Sequence, residues 1–222
     1  MRKKNNNHID KSLAEPVNEV IEKMYLQINS IAQGFAVSIL ISVLAGFNWP
    51  GIIANRDFAT PFFSFASFFI SIVFWSRYYF DTVILKRSFG IYAMVWFFLY
   101  IVAEGISFTK IGEPVMWLIS TGIFLFFGAG FYIFNILEIT RKQEKRIKIN
   151  VADSDVKEYL KWQKMRFLDL FLVACMALAD ARIVMLYPAS APLAGFAALI
   201  ISLWQLDKST DYRRLRFLRT GL

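Results

Sequence analysis

The amino-acid sequence predicts an all-α membrane protein, a polytopic bundle of six transmembrane helices with both chain termini in the cytoplasm. Three observations predict this fold class. The first is that 57% of the 222 residues are hydrophobic, and the second is that they concentrate in six long runs. The third is that the basic residues alternate between the connections. Only 19% of the residues are charged, whereas a soluble domain carries about 25%. The composition therefore indicates a lipid bilayer rather than a large soluble core.

The six apolar runs are each close to the length of a transmembrane helix. A helix needs about 20 residues to cross about 30 Å of hydrocarbon at about 1.5 Å per residue. Strands are not expected, because they would need a closed barrel and an alternating pattern that the runs lack. The runs, numbered here as spans one to six, are residues 31–47, 62–80, 90–108, 115–137, 168–187 and 189–206.

The lysines and arginines predict the orientation of the spans. All but three of the 25 basic residues lie in the N-terminal tail, at the end of span two or in the connection after it, in the connection after span four, or in the C-terminal tail. The exceptions are Arg56 and Lys110 in outer connections and Arg182 within span five. Lysine and arginine are enriched in cytoplasmic connections. We therefore expect both termini and the basic loop 138–167 to be cytoplasmic.

The domain organisation follows from the spans. Residues 1–30 are predicted to form a cytoplasmic tail and an amphipathic lead-in helix, 31–206 the transmembrane domain, and 207–222 a basic cytoplasmic tail. The turn between spans five and six is very short, which predicts that these helices form an antiparallel hairpin. The expected location is the inner (plasma) membrane of a bacterium, and the expected partner of the apolar surface is the lipid bilayer.

The sequence carries no pattern typical of an enzyme. His8 is the only histidine and Cys175 the only cysteine, so a histidine-based metal site is not expected in the spans. Nucleophile-elbow, zinc-protease and phosphate-loop motifs are absent. We therefore expect no catalytic activity, no cofactor and no metal. The net charge of +8 lies mainly on the predicted cytoplasmic side, which favours lipid headgroups over nucleic acid as its partner.

Span one carries a repeat of small residues that has two interpretations. Such a repeat allows two helices to approach closely in lipid, either within one chain or between copies. Alternatively, this face lines a water-filled path, because Gln33 lies at its beginning. The repeat consists of Ser30, Gly34, Ser38, Ser42 and Gly46, and span six has a similar one at Ser190, Ala194, Ala198 and Ser202.

Four ionisable residues lie within the predicted spans. They are Glu104 in span three and Asp169, Asp180 and Arg182 in span five. Charges at membrane depth are costly, so they normally face the protein interior, a partner or water. Two interpretations of these four residues are open: they form ion pairs between helices, or they take part in an ion path. Glu104 and Arg182 have opposite charges at similar depth, which predicts an ion pair, whereas Asp180 is the better candidate for an aqueous path.

The basic loop supplies a candidate binding surface. Residues 154–166 have helical spacing, with apolar side chains among lysines. This segment is predicted to lie against anionic lipid headgroups as an interfacial helix, or to dock a cytoplasmic protein. The residues of the candidate surface are Arg141, Lys142, Lys145, Arg146, Lys157, Lys161, Trp162 and Lys164.

Three stretches carry a resemblance to a known family. They are Ile31-Ala32-Gln33-Gly34-Phe35-Ala36-Val37, Phe74-Trp75-Ser76-Arg77-Tyr78-Tyr79 and Lys86-Arg87-Ser88. In pattern they resemble the six-span lysosomal and bacterial potassium channels whose first helix carries an F-S-D-G motif. Of that motif only Gly34 is retained. The resemblance implies a homo-oligomer whose pore is lined by Ile39, Leu40 and Val43, a ring of apolar side chains that gates by excluding water.

Two functional hypotheses follow from these observations. The first is a homo-oligomeric, channel-like subunit that conducts ions. The second is a membrane sensor or anchor that recruits a cytoplasmic protein through its basic loop and C-terminal tail. A hydrated path through the bundle would favour the first hypothesis, and a sealed bundle would favour the second.

Overall fold

The computed structural model describes residues 27–28, 30–79, 91–144 and 153–210. All regular secondary structure in these ranges is helical, which confirms the predicted all-α class. The described part of each predicted span lies largely in a helix of its own. The helices are α1 Ser30–Ala45, α2 Trp49–Ala54, α3 Ala59–Tyr79, α4 Ile91–Thr109, α5 Pro114–Glu144, α6 Asp153–Leu186 and α7 Ala191–Thr210, with a 3₁₀ turn at Pro188–Ser190.

Within the described residues, three helical segments are long and apolar enough to cross a membrane. They are Ala59–Arg77, Pro114–Leu137 and Pro188–Lys208. The apolar parts of the first and fourth helices, Ser30–Ala45 and Val95–Thr109, are shorter. The apolar half of α6 contains two aspartates and an arginine. The apolar helices indicate a membrane protein.

The connection between α1 and α3 contains the short helix α2, which the sequence analysis missed. The Asn48 side chain caps this helix by accepting a hydrogen bond from the Gly51 backbone N–H at 3.2 Å. Asp57 caps α3 in the same manner, accepting from the Ala59 N–H at 3.1 Å and from the Thr60 hydroxyl at 2.7 Å. Side-chain oxygens at these positions satisfy backbone donors that have no partner within the helix.

The helices α5 and α6 are longer than a bilayer requires. They contain 31 and 34 residues, which correspond to about 46 and 51 Å at about 1.5 Å per residue. The predicted interfacial helix at residues 154–166 is therefore not a separate element but the first part of α6. An unbroken helix forms because no proline or glycine interrupts the segment from Asp153 to Leu186.

The helices pack chiefly as the pairs α5–α6, α3–α7 and α4–α5. The predicted connection of the last two helices by a short turn is present, and Asp169 pairs with Lys208 across them, but α7 packs mainly against α3 and touches α6 far less. The closeness of α3 and α7 depends on Gly195. A Cβ atom at this position would lie 3.0 Å from the Phe62 Cβ and 3.4 Å from the Ala59 carbonyl oxygen.

The two small-residue repeats have different roles in the fold. On α7, Ala194 and Ser202 are buried, which confirms this repeat as a packing face. On α1, Gly34 and Ser38 are exposed, and a Cβ atom at Gly34 would meet nothing within 4 Å. The expectation that Gly34 lies at a close helix contact is therefore wrong within the chain. The reason is that α1 turns its opposite face, with Ala36 and Leu40, into the core.

The bundle has a polar interior and an apolar outer surface. Glu104, Arg77 and Gln205 are buried. Large apolar side chains on every one of the six long helices are exposed, among them Ile41, Phe65, Val102, Ile123, Leu172 and Leu203. Soluble proteins show the reverse distribution. Hydrocarbon is a compatible solvent for this surface. It offers no hydrogen bonds, so polar groups can find hydrogen-bond partners only in the interior of the bundle.

The contrast between Gly195 and Gly34 gives a matched pair of substitutions. We expect Gly195→Leu to lower the free energy of unfolding by about 1–3 kcal/mol or more, because the added atoms force α3 and α7 apart. Gly34→Leu should leave the fold of the single chain intact. Both changes are measured by unfolding the protein in mixed micelles with increasing amounts of a denaturing detergent. Tryptophan fluorescence reports the unfolded fraction. Greater destabilisation by Gly34→Leu than by Gly195→Leu would contradict the packing described for α1 and α7.

Candidate functional site

Arg77 lies in the last turn of α3 and is the most deeply buried cation of the described residues, with 2% of its surface exposed. Its Nη2 donates to the Oε1 of Gln205 on α7 at 2.5 Å. The guanidinium carbon lies 5.9 Å from the centre of the Phe74 ring. The Nε and Nη1 atoms donate to no described residue. An arginine keeps its charge in proteins, so this guanidinium places a cation with two free donors inside the bundle.

A small cavity lies beside the guanidinium. Its volume is about 30 Å³, and its walls come from α1, α3, α4 and α5. The aromatic walls are Phe74, Phe97 and Phe131, and the polar groups are Gln33, Arg77, Tyr100 and Tyr132. Both amide atoms of Gln33 and the Tyr100 hydroxyl are buried without a hydrogen bond to the described residues. This volume has room for one or two atoms of the size of a water oxygen.

Glu104 lies one helical turn from Tyr100 on α4 and is completely buried. Ser71 of α3 lies beside the carboxylate, but neither carboxylate oxygen makes a hydrogen bond of normal geometry with a described residue. Tyr100 is within electrostatic reach of both Glu104 and Arg77. Tyr100 thus interacts electrostatically with a buried carboxylate and with a buried guanidinium.

A second cavity of about 50 Å³ lies between α3, α5, α6 and α7. Its polar lining comes from Thr121, Asp180, Ser202 and Gln205, and Phe74 lines both cavities. Gln205 uses its oxygen for Arg77, and its Nε2 has no partner among the described residues. The Arg77–Gln205 hydrogen bond therefore separates the two cavities. We call the two cavities and the polar residues that line them, together with Glu104, the polar core.

The four predicted intramembrane charges lie in different surroundings in the structure. Asp169 is 3.3 Å from the Lys208 Nζ and 4.0 Å from the Arg166 Nη1, and Arg166 also donates to the Lys208 carbonyl oxygen. Asp169 is thus part of an ion-pair cluster that joins α6 and α7. Asp180 is half-buried and lines the second cavity, as expected of a residue at an aqueous path.

The predicted ion pair between Glu104 and Arg182 is wrong. Arg182 is exposed on the outer surface of α6, where its Nη1 lies 3.6 Å from the Met185 sulfur. Glu104 is buried on the inner face of α4. Similar depth was a sound inference from the sequence, but depth does not fix the rotation of two helices about their own axes.

The predicted pore lining on α1 is also wrong. Leu40 is 1% exposed, and Ile39 and Val43 pack against the same core cluster. These side chains hold α1 in the bundle and are not available to line an axial pore between copies. The outer face of α1 carries Gly34, Ser38 and Ser42 instead. The Ser38 hydroxyl donates to the Gly34 carbonyl oxygen at 2.7 Å, so it needs no water to satisfy it.

The basic surface is only partly described. Lys157, Lys161 and Lys164 are exposed and line an open groove of about 440 Å³ together with Leu160, Met165 and Leu168. Trp162 is stacked on Tyr159, with ring centres 6.1 Å apart, and packs inward against the core. Arg141 is exposed near the end of α5. Lys145 and Arg146 lie outside the described residues, as does the side chain of Lys142.

The sequence analysis missed the central members of the polar core. Arg77 was counted only among the basic residues that set the orientation, and Tyr100 and Gln205 were not singled out. A signal existed for Gln205, since it continues the inward face Ala194, Ala198 and Ser202 by one further turn. No group of three or more histidine, cysteine, aspartate or glutamate side chains suited to a metal ion is found in the part of the chain that the structure describes.

Comparison of this chain with protein families, with curated proteins and with solved structures finds no match. The resemblance to the potassium channel family therefore stays a prediction.

The hydrogen bond between Arg77 and Gln205 can be tested by substitution. Gln205→Leu removes the acceptor and leaves the buried guanidinium without it, so we expect the free energy of unfolding to fall by about 1.5–3 kcal/mol. Gln205→Glu keeps an acceptor and adds a counter-charge, so it should be at least as stable as the wild type. Detergent-denaturant unfolding measures both. If Gln205→Leu is as stable as the wild type, this hydrogen bond does not join α3 to α7.

Proposed function

We propose that this chain is a six-span membrane protein with both termini in the cytoplasm, and that it conducts small ions through the polar core of its bundle. Support for the six crossings comes from packing. The strongly apolar α5 is flanked by α4 and α6, and the strongly apolar α7 lies on α3. A bilayer that surrounds α5 must surround its neighbours too. The distribution of lysine and arginine supports the cytoplasmic position of the termini.

The observation that carries the proposed ion conduction is the burial of Arg77, Glu104 and Asp180 in and around two cavities. A charged group within a membrane protein is costly, and such groups commonly mark ion pathways. Structural pairing does not account for these three, in contrast to Asp169, because none of them has an ion-pair partner among the described residues. Cavities beside these groups give space for water and ions.

The proposed route lies within each bundle and not along the apolar face of α1. The second cavity contains Asp180, near the end of α6 that is predicted to be external. The first cavity contains Gln33, near the beginning of α1 and close to the predicted cytoplasmic side. The Arg77–Gln205 hydrogen bond and the Phe74 ring lie between them, so they are the barrier that an ion must pass. Rearrangement of this pair is the proposed gating step.

Assembly of several copies is part of the same proposal. The outer face of α1, with Gly34, Ser38 and Ser42, is exposed in the single chain and has small side chains that permit close approach of a second helix in lipid. In this arrangement each copy keeps its own conduction route. Contact between copies then stabilises α1 at the outside of each bundle.

A second candidate function is recruitment of a cytoplasmic protein to the membrane. The groove lined by Lys157, Lys161 and Lys164 favours it, because exposed apolar residues line the same groove. Its position on the N-terminal part of α6 suits either an acidic protein or anionic lipid headgroups. Ion flux is the property that separates the two candidates.

Flux through purified protein in liposomes tests the proposal. We expect the wild type to release trapped potassium chloride in proportion to the protein added. Asp180→Asn should lower the rate by about tenfold or more, which corresponds to about 1.4 kcal/mol in the barrier. Arg182→Gln is the matched control, since this side chain lies two residues away on the outer surface, and its rate should be within about twofold of wild type.

Two results would contradict ion conduction through the polar core. One is the absence of flux from liposomes that contain folded, oriented protein, which would favour the recruitment function. The other is equal flux in Asp180→Asn and wild type, which would move the route away from the second cavity.

A further inference from the structure

The cavity beside Arg77 has the chemistry of an anion site. Its lining residues include Arg77, Gln33 and Tyr100, all of them buried, and the groups in question are the guanidinium Nε and Nη1, the Gln33 amide and the Tyr100 hydroxyl. None of these groups has a hydrogen-bond partner among the described residues. Buried polar groups are nearly always satisfied by the protein, by water or by a bound ligand or ion. Four donor positions without a described partner thus belong to residues that line one small cavity.

We propose that this cavity binds a single monovalent anion of chloride size. Arg77 supplies a positive charge and donors only, and it cannot be deprotonated in a protein. The nitrogen of Gln33 and the hydroxyl of Tyr100 complete the donor set. Among the residues that the structure describes, no carboxylate lines the cavity or forms an ion pair with the guanidinium. A cation would be repelled by Arg77.

The size of the cavity selects the class of anion. A volume of about 30 Å³ accepts one or two water-sized atoms, so a tetrahedral oxyanion with four oxygens does not fit. The aromatic walls are held in place by their neighbours, with the Phe74 and Tyr100 ring centres 4.8 Å apart and the Tyr100 and Phe124 ring centres also 4.8 Å apart. The cavity therefore cannot widen without loss of this packing.

The main alternative to a bound anion is that Glu104 supplies the negative charge that balances Arg77. Its carboxylate does not line the cavity, but Tyr100 is within electrostatic reach of both Glu104 and Arg77. If no anion binds, we infer that Glu104, which interacts electrostatically with the same tyrosine, supplies the counter-charge of Arg77. An anion in the cavity would instead contact Arg77 directly. The two arrangements predict opposite responses to chloride.

The site rests on the proposed function only in part. The anion site and the proposed ion conduction both place the bundle in a membrane, but anion binding does not require that the anion cross the membrane. Binding and flux are therefore measured separately. Binding without flux would leave a structural anion site, and flux without binding would overturn the anion site alone.

Tyr100→Phe is the most informative substitution. It removes only a hydroxyl that has no protein partner among the described residues, and it keeps the ring that packs on Phe74. In an empty cavity the change should be neutral or stabilising. In a cavity that holds an anion it removes one donor. Tyr187→Phe is the matched control, because Tyr187 is 67% exposed.

The experiment measures the melting temperature of the purified full chain as sodium gluconate is replaced by sodium chloride at constant ionic strength. A ligand that binds only the folded state stabilises it in a saturable manner. We expect such a rise for the wild type and for Tyr187→Phe. Tyr100→Phe should need about tenfold more chloride, as for loss of one hydrogen bond to a charged group, and Arg77→Gln should lose the effect. Bromide should replace chloride, and sulfate should not.

Several results would overturn the anion site. A melting temperature of the wild type that is independent of chloride would do so and would leave Glu104 as the counter-charge of Arg77. An equal chloride response in wild type and Tyr100→Phe would place the anion elsewhere, as would an equal stabilisation by sulfate. If Arg77→Gln does not fold, the comparison of Tyr100→Phe with Tyr187→Phe still decides the question.

Discussion

Hydrocarbon offers no hydrogen bonds to a protein surface, and the rest of this structure depends on that constraint. Backbone groups in lipid must be satisfied within helices, and polar side chains must turn inward. In this bundle Val102 and Leu203 face outward, while Glu104 and Gln205 of the same helices face inward. Association of helices in lipid then depends on close packing, which explains why Gly195 and Gly122 lie where two helices touch.

The Arg77–Gln205 hydrogen bond is the point at which packing and proposed function meet. It joins α3 to α7, the pair of helices that Gly195 brings together. It also divides the interior into two cavities, one lined by Asp180 and the other by Tyr100. This one hydrogen bond therefore affects both the packing of the helices and the proposed passage of ions through the bundle. A bundle built only for stability would have little reason to bury a guanidinium, because an apolar side chain of similar volume is often as stable.

The helices were predictable from sequence because apolar run length and the placement of basic residues are local properties. The unbroken α6 was predictable only in part, since the composition changes from basic to apolar at about Phe167 while the helix continues. Rotation about each helix axis was the property that sequence reasoning did not supply. For that reason Leu40 was placed at a pore, Gly34 at a helix contact and Arg182 beside Glu104. The spacing of Asp180 from Arg182 did predict that the two lie on different faces of the helix, and the structure places Asp180 at a cavity and Arg182 on the outer surface.

The most direct test of the central claim is the environment of α4, which has a short apolar segment at Val95–Thr109 and a buried carboxylate at Glu104. Spin labels at Phe98, Val102 and Ile106, which are exposed along one face, report this environment in liposomes. The account predicts high collision rates with oxygen and low rates with a water-soluble nickel complex at all three positions, and the highest oxygen rate at the label nearest the bilayer centre. High nickel collision rates at these positions would show that water and not lipid surrounds this face, and would contradict the account.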